Sequence, residues 1–211
     1  MAGDKSMKRV RLGFVALVFV AALAGAQTQT SSVKYAPVDR QIAAAVSPAP
    51  KDLRGGATVL GYTDDGRFVT LRKGNNDMVC LADDPTGKMF HVSCYHRSLE
   101  PFMARGRQLK AMKKSREAID SVRAADIRAG RYTMPRSAAL YQYFAPRDSV
   151  DAATGAINGA QYLYVVYIPN ATEKSTGLSS NPIAGGPWIM YPGKPWAHIM
   201  IQPEMKARII P

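Results

Sequence analysis

The sequence predicts an α+β fold: a single domain in which two or three helices pack on an antiparallel sheet. Three observations carry this expectation. Between Ala57 and Val92, short β-rich runs alternate with turn residues; between Leu99 and Ala129, apolar residues recur at helical spacing; from Ala138 onward the strand pattern returns.

The chain opens with Lys5, Lys8, Arg9 and Arg11, followed by an apolar run from Leu12 to Leu23 and the small residues Ala24-Gly25-Ala26. This is the pattern of a secretory signal peptide over residues 1–26. The apolar run is about a dozen residues, whereas a membrane span needs roughly 20. No Cys follows it for lipid attachment. Residues 27–56 are polar and rich in Ala, Pro and Ser, and read as a flexible tether, with a short helix at Val38–Val46 ended by Ser47-Pro48. The α+β domain is expected to occupy residues 57–211.

Thr58–Tyr62 and Phe68–Arg72 flank Thr63-Asp64-Asp65-Gly66, which predicts a β-hairpin whose glycine supplies positive φ. Gly74–Asp77 is a second turn and Met78–Ala82 a third strand. Asp83-Asp84-Pro85-Thr86-Gly87 turns the chain again before Met89–Val92. Then Leu99, Phe102, Met103, Leu109 and Met112 follow helical spacing, with Ser98 as N-cap and Gly106 a weak point. A second helix is expected over Glu117–Ala129, with Ile119, Val122 and Ala125 on one side and Gly130 just past its end. The basic residues are expected on the other faces of both helices.

Ala138–Phe144 reads as a strand. Ala160–Ile168 is the strongest strand in the chain, and its β-branched and aromatic content suggests a central position. One helical turn is expected near Thr172–Thr176. Trp188–Tyr191 and Trp196–Ile201 read as a last hairpin around a Pro192-Gly193 type II turn.

The formal net charge is +12, and between Arg97 and Arg131 ten Lys/Arg face only four Asp/Glu. A cationic surface attracts polyanions. For an exported protein these are envelope polymers and lipids rather than nucleic acid. Arg105, Arg107, Lys110, Lys113 and Lys114 are the candidate anion-binding residues; a solvated helix face is the plainer reading. The two cysteines, Cys80 and Cys94, most simply form a disulfide in an oxidising compartment.

Leu71-Arg72-Lys73-Gly74-Asn75, Cys80-Leu81-Ala82-Asp83-Asp84-Pro85 and Cys94 together resemble the opening of a family of exported bacterial hypothetical proteins. Gly186-Pro187-Trp188-Ile189-Met190 and Ala197-His198-Ile199-Met200-Ile201 fit the same resemblance. It spans most of residues 57–201 and implies compartment and domain extent, with no chemistry attached.

No H-E-x-x-H, G-x-S-x-G, Walker, dinucleotide-binding, haem-attachment or EF-hand motif occurs. Ser31-Ser32-Val33-Lys34 matches S-x-x-K by letter but lies in the expected tether. The local cluster His91-Val92-Ser93-Cys94-Tyr95-His96 makes His91, His96 and His198 candidate metal ligands. Against that, oxidation of Cys94 removes its thiolate, and histidines five residues apart on a strand point to opposite faces. Asp77, Asp83 and Asp84 could hold a hard cation, but Asp-Asp-Pro-x-Gly is more simply a turn. Glu100, Asp120 and Asp126 are explained by charge balance. The aromatics Tyr141, Tyr143, Tyr162, Tyr164, Tyr167, Trp188, Tyr191 and Trp196 gather in the final strands, either as core or as a polymer-binding face.

The expectation is therefore an exported, periplasmic or secreted, envelope-associated binding or structural protein. It has no recognisable catalytic site or cofactor motif, and its partner would be an anionic envelope polymer or lipid. The alternative is an exported metal-binding protein or metal-dependent enzyme built on His91, His96 and His198.

Overall fold

The computed structural model describes residue 1 and residues 34–210, apart from 152 and 205; the expected signal peptide at 1–26 lies outside the described residues. The elements run α1 (Val38–Val46), α2 (Lys51–Arg54), β1 (Thr58–Tyr62), β2 (Phe68–Arg72), β3 (Met78–Leu81) and β4 (Met89–His96). Two longer helices follow, α3 (Glu100–Ala111) and α4 (Arg116–Arg128). The chain continues through β5 (Ala138–Pro146), β6 (Ile157–Tyr167), α5 (Glu173–Thr176), β7 (Pro187–Met190), β8 (His198–Ile201) and β9 (Lys206–Ile209). One sheet in the order β2-β1-β3-β4-β5-β6-β8-β7 joins them, with β9 also on β6. This is the α+β domain the element pattern predicts.

The sheet is mixed rather than wholly antiparallel, because β1 and β3 run parallel (Val59 opposite Cys80). After the β1–β2 hairpin the chain must return across the end of β1. It does so at Gly74, where a Cβ would collide with the Gly56 carbonyl and the Thr58 backbone. Asn75 and Asn76 then donate backbone N–H bonds to the Gly56 carbonyl at 2.8 and 3.1 Å. Only a glycine allows so close a crossing. The hairpin turn itself closes at Gly66, with φ 82°, whose N–H donates to the Thr63 carbonyl.

The expected tether is in fact part of the domain from at least Pro37. The helix forms over Val38–Val46 as its composition predicts, but Ala44, Ala45 and Ala49 are buried beneath it. They pack on Val59, Cys80, Phe90, Val92 and Cys94. Gln41 clamps α1 to β1: its amide donates to the Tyr62 carbonyl and accepts from the Tyr62 N–H, both at 2.8 Å. Small alanines let the helix approach the sheet closely, so a segment with tether-like composition is helix and core.

On the opposite face α3 and α4 cover Val79, Tyr95, Leu140, Val165 and Tyr167, with Phe102 and Leu99 wedged between. Ser98 does not cap α3. It sits in a single 3-10 turn (Arg97–Leu99), where the His96 side chain accepts from the Ser98 N–H, and α3 begins at Glu100. Ser115 caps α4 by accepting from the Ala118 N–H. The phase of α4 differs from expectation: Ala125 is exposed and Asp126 is the buried residue. Nor do all the cations face outward. Arg123 lies over the Phe102 ring at 3.8 Å and donates to the Phe102 carbonyl at 2.9 Å. Gly106 makes room for it, since a Cβ there would collide with the guanidinium.

β6 has eleven residues and is central, as its composition suggests: it pairs with β5 on one side, and with β9 and then β8 on the other. β7 and β8 pair antiparallel, but residues 191–197 form a wide loop instead of a two-residue type II turn. That loop docks on the end of β6, where Gly193 N–H donates to the Ala171 carbonyl and Ile168 N–H to the Ala197 carbonyl. Cys80 and Cys94, opposite each other on β3 and β4, form a disulfide. No helix among the described residues is long and apolar enough to cross a membrane.

Two outcomes test this packing. Replacing Cys80 and Cys94 by Ser opens a loop of about 15 residues and should cost about 3 kcal/mol in a urea titration. Gly106→Ala should destabilise by about 1–3 kcal/mol through overpacking, despite the better helix propensity of alanine. The loss should shrink when Arg123→Ala is present in the same chain.

Candidate functional site

The three histidines do not converge. His91 and His96 point to opposite faces of β4, and His198 lies on β8, three strands away in the sheet. Each ring has its own local partner. His91 Nε2 bonds the Gln142 Oε1 at 2.9 Å, His96 Nδ1 bonds the Ser98 hydroxyl at 2.8 Å, and His198 Nδ1–H donates to the Trp196 carbonyl at 2.7 Å. Among the described residues no group of three His, Cys, Asp or Glu is placed to hold a metal ion. The period-2 geometry of β4 and the disulfide at Cys94 are the physical reasons.

His198 is buried between Tyr167 and Tyr191, whose ring centroids lie 4.8 and 5.8 Å away. Burial holds its pKa below the usual 6.5, although the Trp196 carbonyl pulls the other way and Arg116 adds a small downward push.

The five candidate anion-binding residues divide into two groups. Arg105 donates from Nε to Asp126 Oδ2 at 2.6 Å and from Nη1 to Gln108 at 2.6 Å. Arg131 pairs with the other carboxylate oxygen of Asp126. Burial pushes the Asp126 carboxyl up, but the hydrogen bonds from Arg105 and Arg131 outweigh it and hold the group below the ordinary carboxylate range. Arg107 pairs with Glu100 and donates to the Tyr95 hydroxyl at 2.8 Å. Burial raises the Tyr95 phenol well above its usual range against the opposing pull of Arg107. Lys110, Lys113 and Lys114 are exposed at the end of α3 and in the turn to α4, and have no carboxylate partner among the described residues. Met112, between them, is 59% exposed.

Sequence reasoning missed a cleft of about 700 Å3 between the second half of α3 and the strands. Its walls come from four separate places: Tyr62 and Phe68 of the first hairpin, Leu81 at the end of β3 with Ala82, Asp83 and Asp84 after it, Met89, His91 and Ser93 of β4, and Arg107, Gln108, Lys110 and Ala111 of α3. The Tyr62 phenol is pushed well up, first by burial and then by the nearby Asp84 carboxylate. Both acids serve the fold: Asp83 pairs with Arg147 and accepts from the His91 N–H, while Asp84 accepts from Thr86. This confirms the turn reading of Asp83-Asp84-Pro85. No short motif spans these residues, so no local signal announces the cleft.

The aromatics also divide. Tyr141, Tyr143, Tyr162 and Tyr164 form a ladder across β5 and β6 on the α1 side, with centroids 4.6–6.0 Å apart. Tyr167 and Trp196 are buried with Phe102 on the α3 side. No protein-family model, curated protein or solved structure matches this chain.

His198 supplies a pH test. Its depressed folded-state pKa means that the unfolded chain takes up the proton first, so stability is fully present above pH 6.5 and is lost as pH falls below it. His198→Gln should flatten the decline in urea midpoint between pH 7 and pH 5, measured at constant ionic strength.

Proposed function

We propose that this is an exported, envelope-associated binding or structural protein that engages anionic envelope material. The observation that carries this reading is the set of exposed lysines, Lys110, Lys113 and Lys114, free of carboxylate partners among the described residues. Arg105 and Arg107, beside them, are held by Asp126 and Glu100. The fold thus spends its carboxylates on arginines and leaves a compact lysine surface to the solvent. Export is supported by the basic and then apolar residues before Ala26 and by the Cys80–Cys94 disulfide, which persists in oxidising compartments. On this reading the protein works in the periplasm or outside the cell.

The test is co-sedimentation with cell-wall fragments and with anionic vesicles. The protein should pellet at low salt and be released as added salt shortens the screening length. Replacing Lys110, Lys113 and Lys114 together by Gln should weaken binding about a hundredfold, at about 1 kcal/mol per lysine near an anionic surface. A protein that stays in the supernatant at low salt with every anionic preparation refutes the reading.

A further inference from the structure

We infer that the cleft between α3 and the strands is a binding site for a single anionic amphiphile, an acyl chain carrying a negatively charged head group. This rests on the reading that the lysine surface meets anionic material, and names what the adjoining cleft adds to it. The first observation is size: about 700 Å3 falls within the roughly 300–1,000 Å3 of small-molecule sites. The second is where the chain exposes large apolar side chains. Phe68 (38%) and Met89 (42%) both line this cleft. These residues come from β2 and β4, so their meeting is a product of the fold and not of one apolar stretch. An exposed apolar wall shared by two elements marks a surface with a partner.

The polar groups select the ligand further. The charge of the cleft is divided between two sides. Asp83 and Asp84 lie on the β3–β4 loop, with Asp83 held by Arg147 and Asp84 by Thr86. On the α3 side Arg107 is held by Glu100 and Tyr95, which leaves Lys110 as the lining cation without a carboxylate partner among the described residues. An anionic head is therefore drawn to the α3 side and repelled from the loop side. That orientation lays an apolar tail along Phe68, Leu81 and Met89. The head remains at the lysine surface, so the site reads an anionic lipid one molecule at a time.

The experiment is calorimetric titration of the whole exported protein with dodecyl phosphate below its micelle concentration. Inorganic phosphate (head alone) and decyl maltoside (chain without charge) are run alongside. Saturable one-to-one binding of dodecyl phosphate is expected, with inorganic phosphate at least a hundredfold weaker and decyl maltoside at least tenfold weaker. Met89→Ser and Lys110→Gln should each weaken dodecyl phosphate about tenfold while leaving the melting temperature in place, and Phe68→Ser serves as a second probe of the apolar wall. Equal affinity for the neutral amphiphile, or no loss in Met89→Ser and Phe68→Ser, overturns the proposal. Absence of dodecyl phosphate binding in a protein that still pellets with cell-wall fragments removes the cleft site and leaves the envelope reading standing. Failure of both assays removes both.

Discussion

Asp126 is a buried carboxylate in the most cationic stretch of the chain, and the arrangement of α3 and α4 follows from keeping it paired. A charge removed from water needs oppositely charged hydrogen-bond donors. Arg105 reaches it from α3 and Arg131 from beyond the C-terminal end of α4. These bonds turn α4 so that Asp126 rather than Ala125 faces inward, and they set its neighbour Arg123 against Phe102. Gly106 then becomes a requirement of close approach, although inside a helix a glycine is otherwise a weakness. The helix pair so clamped covers one face of the sheet and buries Leu99, Phe102 and Trp196 there.

The same pairing decides the outer surface. Every arginine drawn inward by a carboxylate is one cation fewer on the outside, and Arg105 and Arg107 both have such partners. The lysines at the end of α3 have none among the described residues, and the flexible lysine stem suits an exposed point charge better than a buried, bidentate one. The division of labour between arginine and lysine thus turns a diffuse positive segment into a small, directed patch. That patch adjoins the cleft because Lys110 belongs to both.

The sheet has its own organising constraint in β6, long enough to pair with β9 along its first half and β8 along its second. On the opposite side β5 matches it residue for residue from Phe144–Gln161 to Ala138–Tyr167. This register places Tyr141, Tyr143, Tyr162 and Tyr164 on the face that α1 begins to cover, and Leu140, Val165 and Tyr167 under α3 and α4. α1 covers part of one face, and α3 and α4 cover the other. The region read as a tether therefore adds Ala44, Ala45 and Ala49 to a core built mainly from residues 57–211.

Much of the fold was legible in the residues themselves. The helix at Val38–Val46, the hairpin around Gly66, the C-terminal limit of α4 near Gly130, the central rank of β6 and the Cys80–Cys94 disulfide all follow from local signals. These are turn glycines, caps, periodicity, β-branched content and an even pair of cysteines. Such signals act within a few residues, where sequence neighbours are also neighbours in space. What tertiary structure alone decided are the outcomes of long-range pairing. α1 became core because Gln41 meets Tyr62, β1 and β3 became parallel because Gly74 crosses at Gly56, and Arg105 turned inward because Asp126 lies 21 residues further on. The cleft is the extreme case, with walls drawn from four places in the chain. Whether an arginine is buried or a phenylalanine exposed depends on the desolvation and partners its site provides, and those are properties of the packed chain rather than of any window of its sequence.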